Sequence, residues 1–189
     1  MKTIGIKLIT ALTIVFVALA CQAEKSSQTQ LQTQYSLEIG DLPKGWKFEG
    51  ESWNIDYGGE SYTVTYQITD HNFVSHTISM YPNEDQAREA YEEWSNESFD
   101  STQPLPEATY SPLNQNDDYR FGCFEPLEGT KSVIFSCRHL QRHEEIISYV
   151  RVNLDNASLT FSEVDKILVI LDERLRTATL ENKESPSTP

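Results

Sequence analysis

Histidine is the side chain best suited to acid–base and metal chemistry near neutral pH, and this sequence contains four of them. Two, His139 and His143, are four residues apart and are followed by Glu144 and Glu145. On a helix this spacing would place two metal ligands on one face. The surrounding residues predict a β-turn instead. We therefore interpret the group as a solvated turn and expect no metal there.

A third histidine, His76, lies at an apolar position in a segment that alternates like a β-strand. A hairpin centred on His71 would place His76 opposite Tyr66. We interpret His76 as a buried histidine that hydrogen-bonds the tyrosine hydroxyl. A hydrolase site assembled around these two residues is the alternative.

Signatures of enzyme chemistry are missing from the rest of the sequence. It contains no phosphate-binding loop, dinucleotide fingerprint, helical zinc motif or nucleophile elbow. The oxygen-rich run from Asn114 to Asp118 lacks the glycine and the distal glutamate of a calcium loop. The 189 residues carry a formal net charge of −14, which disfavours nucleic acid as a partner. We expect no cofactor, no metal site and no intrinsic catalysis.

The first residues have the composition of an export signal. Lys2 and Lys7 precede an apolar run that is too short to span a membrane comfortably. The sequence Val17-Ala18-Leu19-Ala20-Cys21 resembles the lipobox of bacterial lipoproteins. That resemblance implies cleavage before Cys21, acylation of its thiol, and a lipid anchor on the outer face of the cytoplasmic membrane or on the outer membrane. Ordinary secretion is the alternative, because residues 18–20 also fit a plain cleavage site.

One domain between two polar ends is expected after the signal peptide, residues 1–20. Residues 21–37 are largely polar and rich in Gln, Ser and Thr, and predict a flexible tether. Residues 38–178 contain the periodic apolar patterns of a folded domain. Residues 181–189 are polar and end in proline, so a disordered tail is expected over residues 179–189.

Two cysteines, Cys123 and Cys137, remain once Cys21 is assigned to the lipid. In an exported protein such a pair most simply forms a disulfide. A hairpin centred on Thr130 places the two directly opposite each other, close enough for a bridge. A redox-active pair is the alternative, but the spacing is not Cys-x-x-Cys.

Alternating apolar and polar residues predict three strands before each of two helices. The first helix begins after Asn83, and the second begins after Thr160, which forms a capping box with Glu163. In the second half, the apolar pattern favours a register that pairs Phe135 with Val150. The predicted fold class is α+β: an antiparallel sheet from two βββα halves with helices packed on the sheet.

Two short motifs resemble those of small extracytoplasmic domains in bacterial lipoproteins. Leu42-Pro43-Lys44-Gly45-Trp46 resembles their entry segment, and Asp172-Glu173-Arg174 is similar to the close of their final helix. The order of elements is also similar to that of extrinsic photosystem subunits, in which helices cover a sheet. These resemblances imply an extracytoplasmic α+β domain, but a shared fold does not convey a function.

The longest connection without a strand pattern runs from residue 96 to residue 117. Long connections in compact domains often bind partners. We therefore expect a protein-partner surface formed by its apolar side chains: Phe99, Leu105, Tyr110 and Leu113. Packing across the sheet would also explain them. The expected function is a lipid-anchored extracytoplasmic binding or accessory protein, the alternatives being a subunit of a membrane-bound complex or a hydrolase.

Overall fold

The computed structural model describes residues 34–69, 72–99, 110, 118–124, 135–154 and 159–184. Six strands and two α-helices follow one another in these ranges: β1 (Lys47–Asp56), β2 (Gly59–Thr69), β3 (Asn72–Met80), α1 (Glu84–Phe99), β4 (Asp118–Phe124), β5 (Phe135–His143), β6 (Ile146–Leu154) and α2 (Phe161–Glu184). This is the order of elements that the sequence predicts.

The strands form one antiparallel sheet in the order β1-β2-β3-β6-β5-β4. Each half contributes three consecutive strands, and the halves meet where β3 pairs with β6. As a result, β1 and β4 are the two edges of the sheet. The predicted α+β fold, a sheet of two βββα halves with helices packed on it, is confirmed.

The two helices cover opposite faces of the sheet. Successive residues of a strand point to opposite sides, and the two helices pack against alternate residues of the same strands. One cluster joins α1 to Leu140 and Ile147. The other joins α2 to Val150 and Val152. In α2 the buried apolar residues are those of the predicted apolar stripe: Val164, Ile167, Leu168, Leu171 and Leu175.

Both helices begin where the sequence predicts. At α1 the side-chain oxygen of Asn83 accepts a hydrogen bond from the N–H of Gln86 (3.0 Å). At α2 the carboxylate of Glu163 accepts one from the N–H of Thr160 (2.8 Å), which completes the predicted capping box. These bonds satisfy donors that a helix leaves without partners at its first turn.

The predicted register of the β2–β3 hairpin is wrong by two residues. His76 lies opposite Val64, and Tyr66 lies opposite Val74. A bulge between Gln67 and Thr69 shifts the alignment. Because the shift is an even number of residues, every side chain keeps its predicted face.

The predicted register of the β5–β6 hairpin is wrong by four residues. Phe135 pairs with Leu154, and Val150 pairs with His139. The turn lies at Glu144 and the residue after it, and Glu144 has a φ of +52°. A positive φ at a residue other than glycine is uncommon, so the sequence gives no signal for a turn at that place.

The folded part extends beyond the predicted domain at both ends. Tyr35 and Leu37 fall within the predicted tether but are 0% and 1% exposed. The guanidinium of Arg174 donates to both carboxylate oxygens of Asp41 (2.7 and 2.9 Å) and to the carbonyl of Ser36 (2.6 Å), which ties this segment to α2. At the other end α2 continues to residue 184. Ordered structure therefore begins before residue 38 and continues beyond residue 178, while residues 1–33 and 185–189 lie outside the described ranges.

Candidate functional site

A group of polar side chains is buried between the sheet and α2. Its members are at most 3% exposed: His76, His139, Gln141, Ser148 and Asp172. A buried polar group destabilises the fold unless it is hydrogen-bonded. The partners of these side chains therefore decide what chemistry they can perform.

His76 links β3 to the segment before β1. The backbone N–H of Leu37 donates to its Nδ1 (2.9 Å), and its Nε2 lies 3.0 Å from the hydroxyl oxygen of Ser148. Because Nδ1 is an acceptor, the proton of the neutral ring resides on Nε2, which donates to Ser148. A serine nucleophile needs the opposite arrangement, with an unprotonated ring nitrogen facing the hydroxyl. In this tautomer His76 anchors Leu37 and does not activate Ser148.

Tyr66 also binds Leu37. Its hydroxyl donates to the carbonyl oxygen of Leu37 (3.1 Å), so the predicted hydrogen bond between Tyr66 and His76 is wrong. Each of the two side chains satisfies one polar group of the same residue. Sequence reasoning missed this arrangement because Leu37 was assigned to the tether.

Asp172 on α2 is the buried carboxylate of this group. The side-chain amide of Gln141 donates to one of its oxygens (2.9 Å), and the hydroxyl of Tyr110 faces the other (3.4 Å). Burial raises the pKa of Tyr110, and the adjacent charge of Asp172 raises it further. Tyr110 therefore stays protonated and acts as a donor to the carboxylate. From the sequence, Tyr110 was expected only as an apolar side chain of the partner surface, and its hydrogen bond to Asp172 was not predicted.

His139 differs from His76 because neither of its ring nitrogens has a hydrogen-bond partner among the described residues. Its ring stands perpendicular to the ring of Tyr110, with centroids 5.1 Å apart. The interpretation of His139 as part of a solvated turn is wrong, because it lies within β5 and is 3% exposed. His143 is four residues further along the strand, a separation of roughly 13 Å, so the two cannot share a metal ion. Among the described residues, no three His, Cys, Asp or Glu side chains form a group that could hold a metal.

Both buried histidines are held neutral. The pKa of His76 is lowered to about 3, chiefly by burial and in addition by the neighbouring His139 and Arg174. Burial alone lowers the pKa of His139 to about 3. Neither ring gains a proton near neutral pH.

The predicted disulfide is confirmed. Cys123 on β4 is bonded to Cys137 on β5, directly opposite in the register, and both side chains are at most 1% exposed. The bond closes a loop whose ends are 14 residues apart in sequence. It fixes the edge strand β4 to the rest of the sheet.

The candidate binding residues are core residues where the structure describes them. Phe99, at the end of α1, packs against Phe124 and lies under the guanidinium of Arg120, 4.9 Å from its ring centroid. Phe99 and Tyr110 are only 6% and 7% exposed. Neither offers an exposed binding surface, so packing is the correct explanation for this pair. Leu105, Leu113 and the proposed lipidation site Cys21 lie outside the described residues.

No helix in the described ranges is both long enough and apolar enough to cross a membrane. Neither a search of protein-family models nor one of curated proteins finds a match to this sequence. Among solved structures, the chain is similar to the extracellular domain of PknH from Mycobacterium tuberculosis, with 10% identity, a TM-score of 0.49, and coverage of 74% of this chain and 92% of that one. At this identity the similarity conveys neither a ligand nor an activity.

Proposed function

We propose that this chain is an extracytoplasmic accessory protein that is anchored to a membrane by lipid on Cys21 and works by binding. One observation carries the proposed location: the sheet contains a buried disulfide between Cys123 and Cys137. Disulfides persist in oxidising compartments outside the cytoplasm and are rare within it. The lipobox-like residues 17–21 supply the anchor, and two or more acyl chains hold a protein stably where one does not.

The buried polar group supports binding over catalysis. His76 is fixed in a tautomer that donates to Ser148, and the carboxylate of Asp172 accepts from Gln141. These side chains satisfy one another inside the core, where they hold the segment before β1 and α2 on the sheet. The surface is then the part of the molecule that meets a partner.

Metabolic labelling with a fatty-acid analogue tests the anchor. In bacteria that express the full chain, the wild type should be labelled and should sediment with membranes, whereas Cys21→Ala should be unlabelled and released. A variant with Cys123→Ala and Cys137→Ala is the matched control and should keep the label, because its remaining cysteine is the proposed site. Label on Cys21→Ala would overturn the assignment.

A panel of chromogenic ester, peptide and glycoside substrates tests the absence of hydrolysis. Purified full-length protein should turn over none of them faster than buffer does. Turnover that is lost in folded His76→Gln but kept in His143→Gln would establish the hydrolase alternative and contradict a purely binding role.

A further inference from the structure

β1 is an open edge of the sheet. None of its ten residues is buried, whereas at the other edge Gly122, Cys123 and Phe124 of β4 are buried. Two of the large exposed apolar side chains in the described ranges lie on β1: Phe48 is 56% exposed and Ile55 is 78% exposed. An edge strand presents unpaired backbone groups on its outer side, which makes it a template for another strand.

A bulge brings the apolar side chains of β1 to one face. Phe48 pairs with Tyr66 on β2, but the next pair joins Gly50 to Thr65, so Glu49 has no counterpart. Without that extra residue, Phe48 and Ile55 would point to opposite faces, because side chains alternate along a strand. With it, both lie on the face that carries α2.

We propose that β1 pairs antiparallel with β1 of a second copy of this chain, about a two-fold axis that passes through Ser52. Glu49 bulges out of the new ladder as it does from the ladder with β2. In this register Phe48 lies opposite Ile55 of the second copy, and Lys47 lies opposite Asp56. The two sheets then become one continuous sheet across both copies.

The pattern of residues selects this register. Each pair joins the two copies, and the two-fold axis repeats it. The interface therefore contains two Phe48–Ile55 pairs and two Lys47–Asp56 pairs. Directly opposed side chains of this kind stabilise a strand pair, and like charges in opposition destabilise it. If one strand is shifted by two residues in one direction, Glu51 of one copy lies opposite Glu51 of the other, which opposes like charges. A shift of two residues in the other direction places Glu51 opposite Ile55 of the second copy. A shift of one residue would oppose side chains that point to different faces.

Charge and a bulge usually protect an edge strand from pairing. On β1 the charges have both signs, and Lys47 and Asp56 lie at positions that complement each other under two-fold symmetry. The carboxylate of Glu51 is occupied within its own copy, where the hydroxyl of Tyr62 donates to it (2.7 Å). The edge is therefore suited to a second copy of itself. This inference does not depend on the proposed lipid anchor, because the pairing involves β1 and not Cys21.

Disulfide crosslinking in intact cells tests the register. In the full chain with Ser52→Cys, the two new thiols face each other at the axis, so mild oxidation should convert at least half of the protein to a dimer on a non-reducing gel. Asn54→Cys is the matched control on the same face of β1. Its thiols lie roughly 13 Å apart along the strands in this register, and it should yield at most a tenth of that dimer. Equal crosslinking at both positions, or none at Ser52→Cys, would overturn the proposal.

A charge reversal tests the contact between Lys47 and Asp56. Each single variant, Lys47→Glu or Asp56→Lys, should weaken dimerisation about tenfold in analytical ultracentrifugation of the full chain. The double variant should restore it to near the wild-type value, because the two charges then face each other with exchanged signs. A double variant weaker than either single variant, or a wild type that remains monomeric, would contradict the pairing.

Discussion

The two ends of the sheet share an order of elements but differ in how they are closed. At the β4 end, a disulfide fixes the edge strand and the side chains near it are buried. At the β1 end, a ten-residue strand leaves every side chain at least partly exposed. The comparison shows that two halves with the same arrangement of strands can divide their roles, since one end holds the fold closed and the other presents a surface.

Arginine side chains strengthen the closed end. Arg120 on β4 donates to the carbonyl and hydroxyl oxygens of Ser95 (3.2 and 2.8 Å), and Arg138 on β5 donates to the carbonyl of Ser98. Ser98 lies in the last turn of α1, where carbonyl groups lack helical partners and cations are favourable, and Ser95 lies one turn earlier. These contacts fix α1 over the second half of the sheet.

Hydroxyl groups line the corresponding face of the first half. Three cross-strand pairs join β2 to β3: Ser61 with Ser79 (2.6 Å), Thr63 with Thr77 (2.8 Å) and Thr65 with Ser75 (3.2 Å). Such pairs add modestly to the stability of a strand pair. The open end is thus held by many small contacts, whereas the closed end relies on a few strong ones.

Acid should have the largest effect, and it tests whether both halves depend on a neutral buried histidine. The pKa of His76 and of His139 is lowered to about 3 in the folded protein, below the value of about 6.5 for an exposed histidine. As the pH falls below about 6.5 the unfolded chain binds protons that the folded chain does not, so stability is lost towards pH 3. The two residues together should reduce the free energy of unfolding by about 4 kcal/mol between pH 7 and pH 5. Urea titrations at both pH values measure this. The variant His143→Gln should show the same loss, and an equal stability at both pH values would contradict the buried neutral rings.

Removal of the disulfide should weaken the closed end by a slightly smaller amount. A variant with Cys123→Ser and Cys137→Ser should lose about 3 kcal/mol, because the unfolded chain regains the freedom of the closed loop. The matched change at the open end, Ser61→Ala with Ser79→Ala, removes one buried hydroxyl pair and should cost about 1 kcal/mol. Thermal unfolding ranks the two variants. A larger loss of stability in the serine variant than in the disulfide variant would contradict the claim that the closed end is held by the stronger contacts.

Gly59 tests how the open end is fixed to the rest of the molecule. A Cβ atom at this position would lie 2.7 Å from the ring of Tyr81, which is 3% exposed. Gly59→Ala should therefore cost about 2 kcal/mol through overpacking. Gly50→Ala is the control, because nothing lies within 4 Å of its Cβ position. Equal urea midpoints for the two variants would show that the contact with Tyr81 is not tight.

The two buried histidines should respond in opposite ways to removal of the ring. His139→Leu replaces nitrogens that have no hydrogen-bond partner in the described part of the chain, and should stabilise the fold by about 1 kcal/mol at pH 7. It should also halve the loss of stability in acid. His76→Leu leaves the N–H of Leu37 without its acceptor and should destabilise the fold. Destabilisation by both variants would reveal that His139 has a partner after all.

Local patterns in the sequence predicted the strands, the helix starts and the disulfide, because each depends on residues that are close together in the chain. The alternation around Cys123 and Cys137 and the capping residues Asn83 and Thr160 are examples. The strand registers were harder to predict, since a bulge after Gln67 and a positive φ at Glu144 leave no strong mark in the sequence.

The candidate site was predictable only in part, for a related reason. His76 was identified as buried, but its partners come from residues that are distant in sequence: Leu37 and Ser148. The burial of His139 depends on the Tyr110 side chain that packs against it, which strand periodicity does not reveal. The open edge was missed for the same reason, because which strand lies at an edge is set by the order of strands in the sheet.

Hydrogen exchange of the full chain at two protein concentrations tests the contrast between the ends most directly. If β1 pairs with a second copy, peptides that cover residues 47–56 should exchange more slowly at the higher concentration, while peptides that cover residues 118–124 should not change. Exchange in β1 that is independent of concentration, or an equal slowing at both edges, would contradict an open end that pairs with itself.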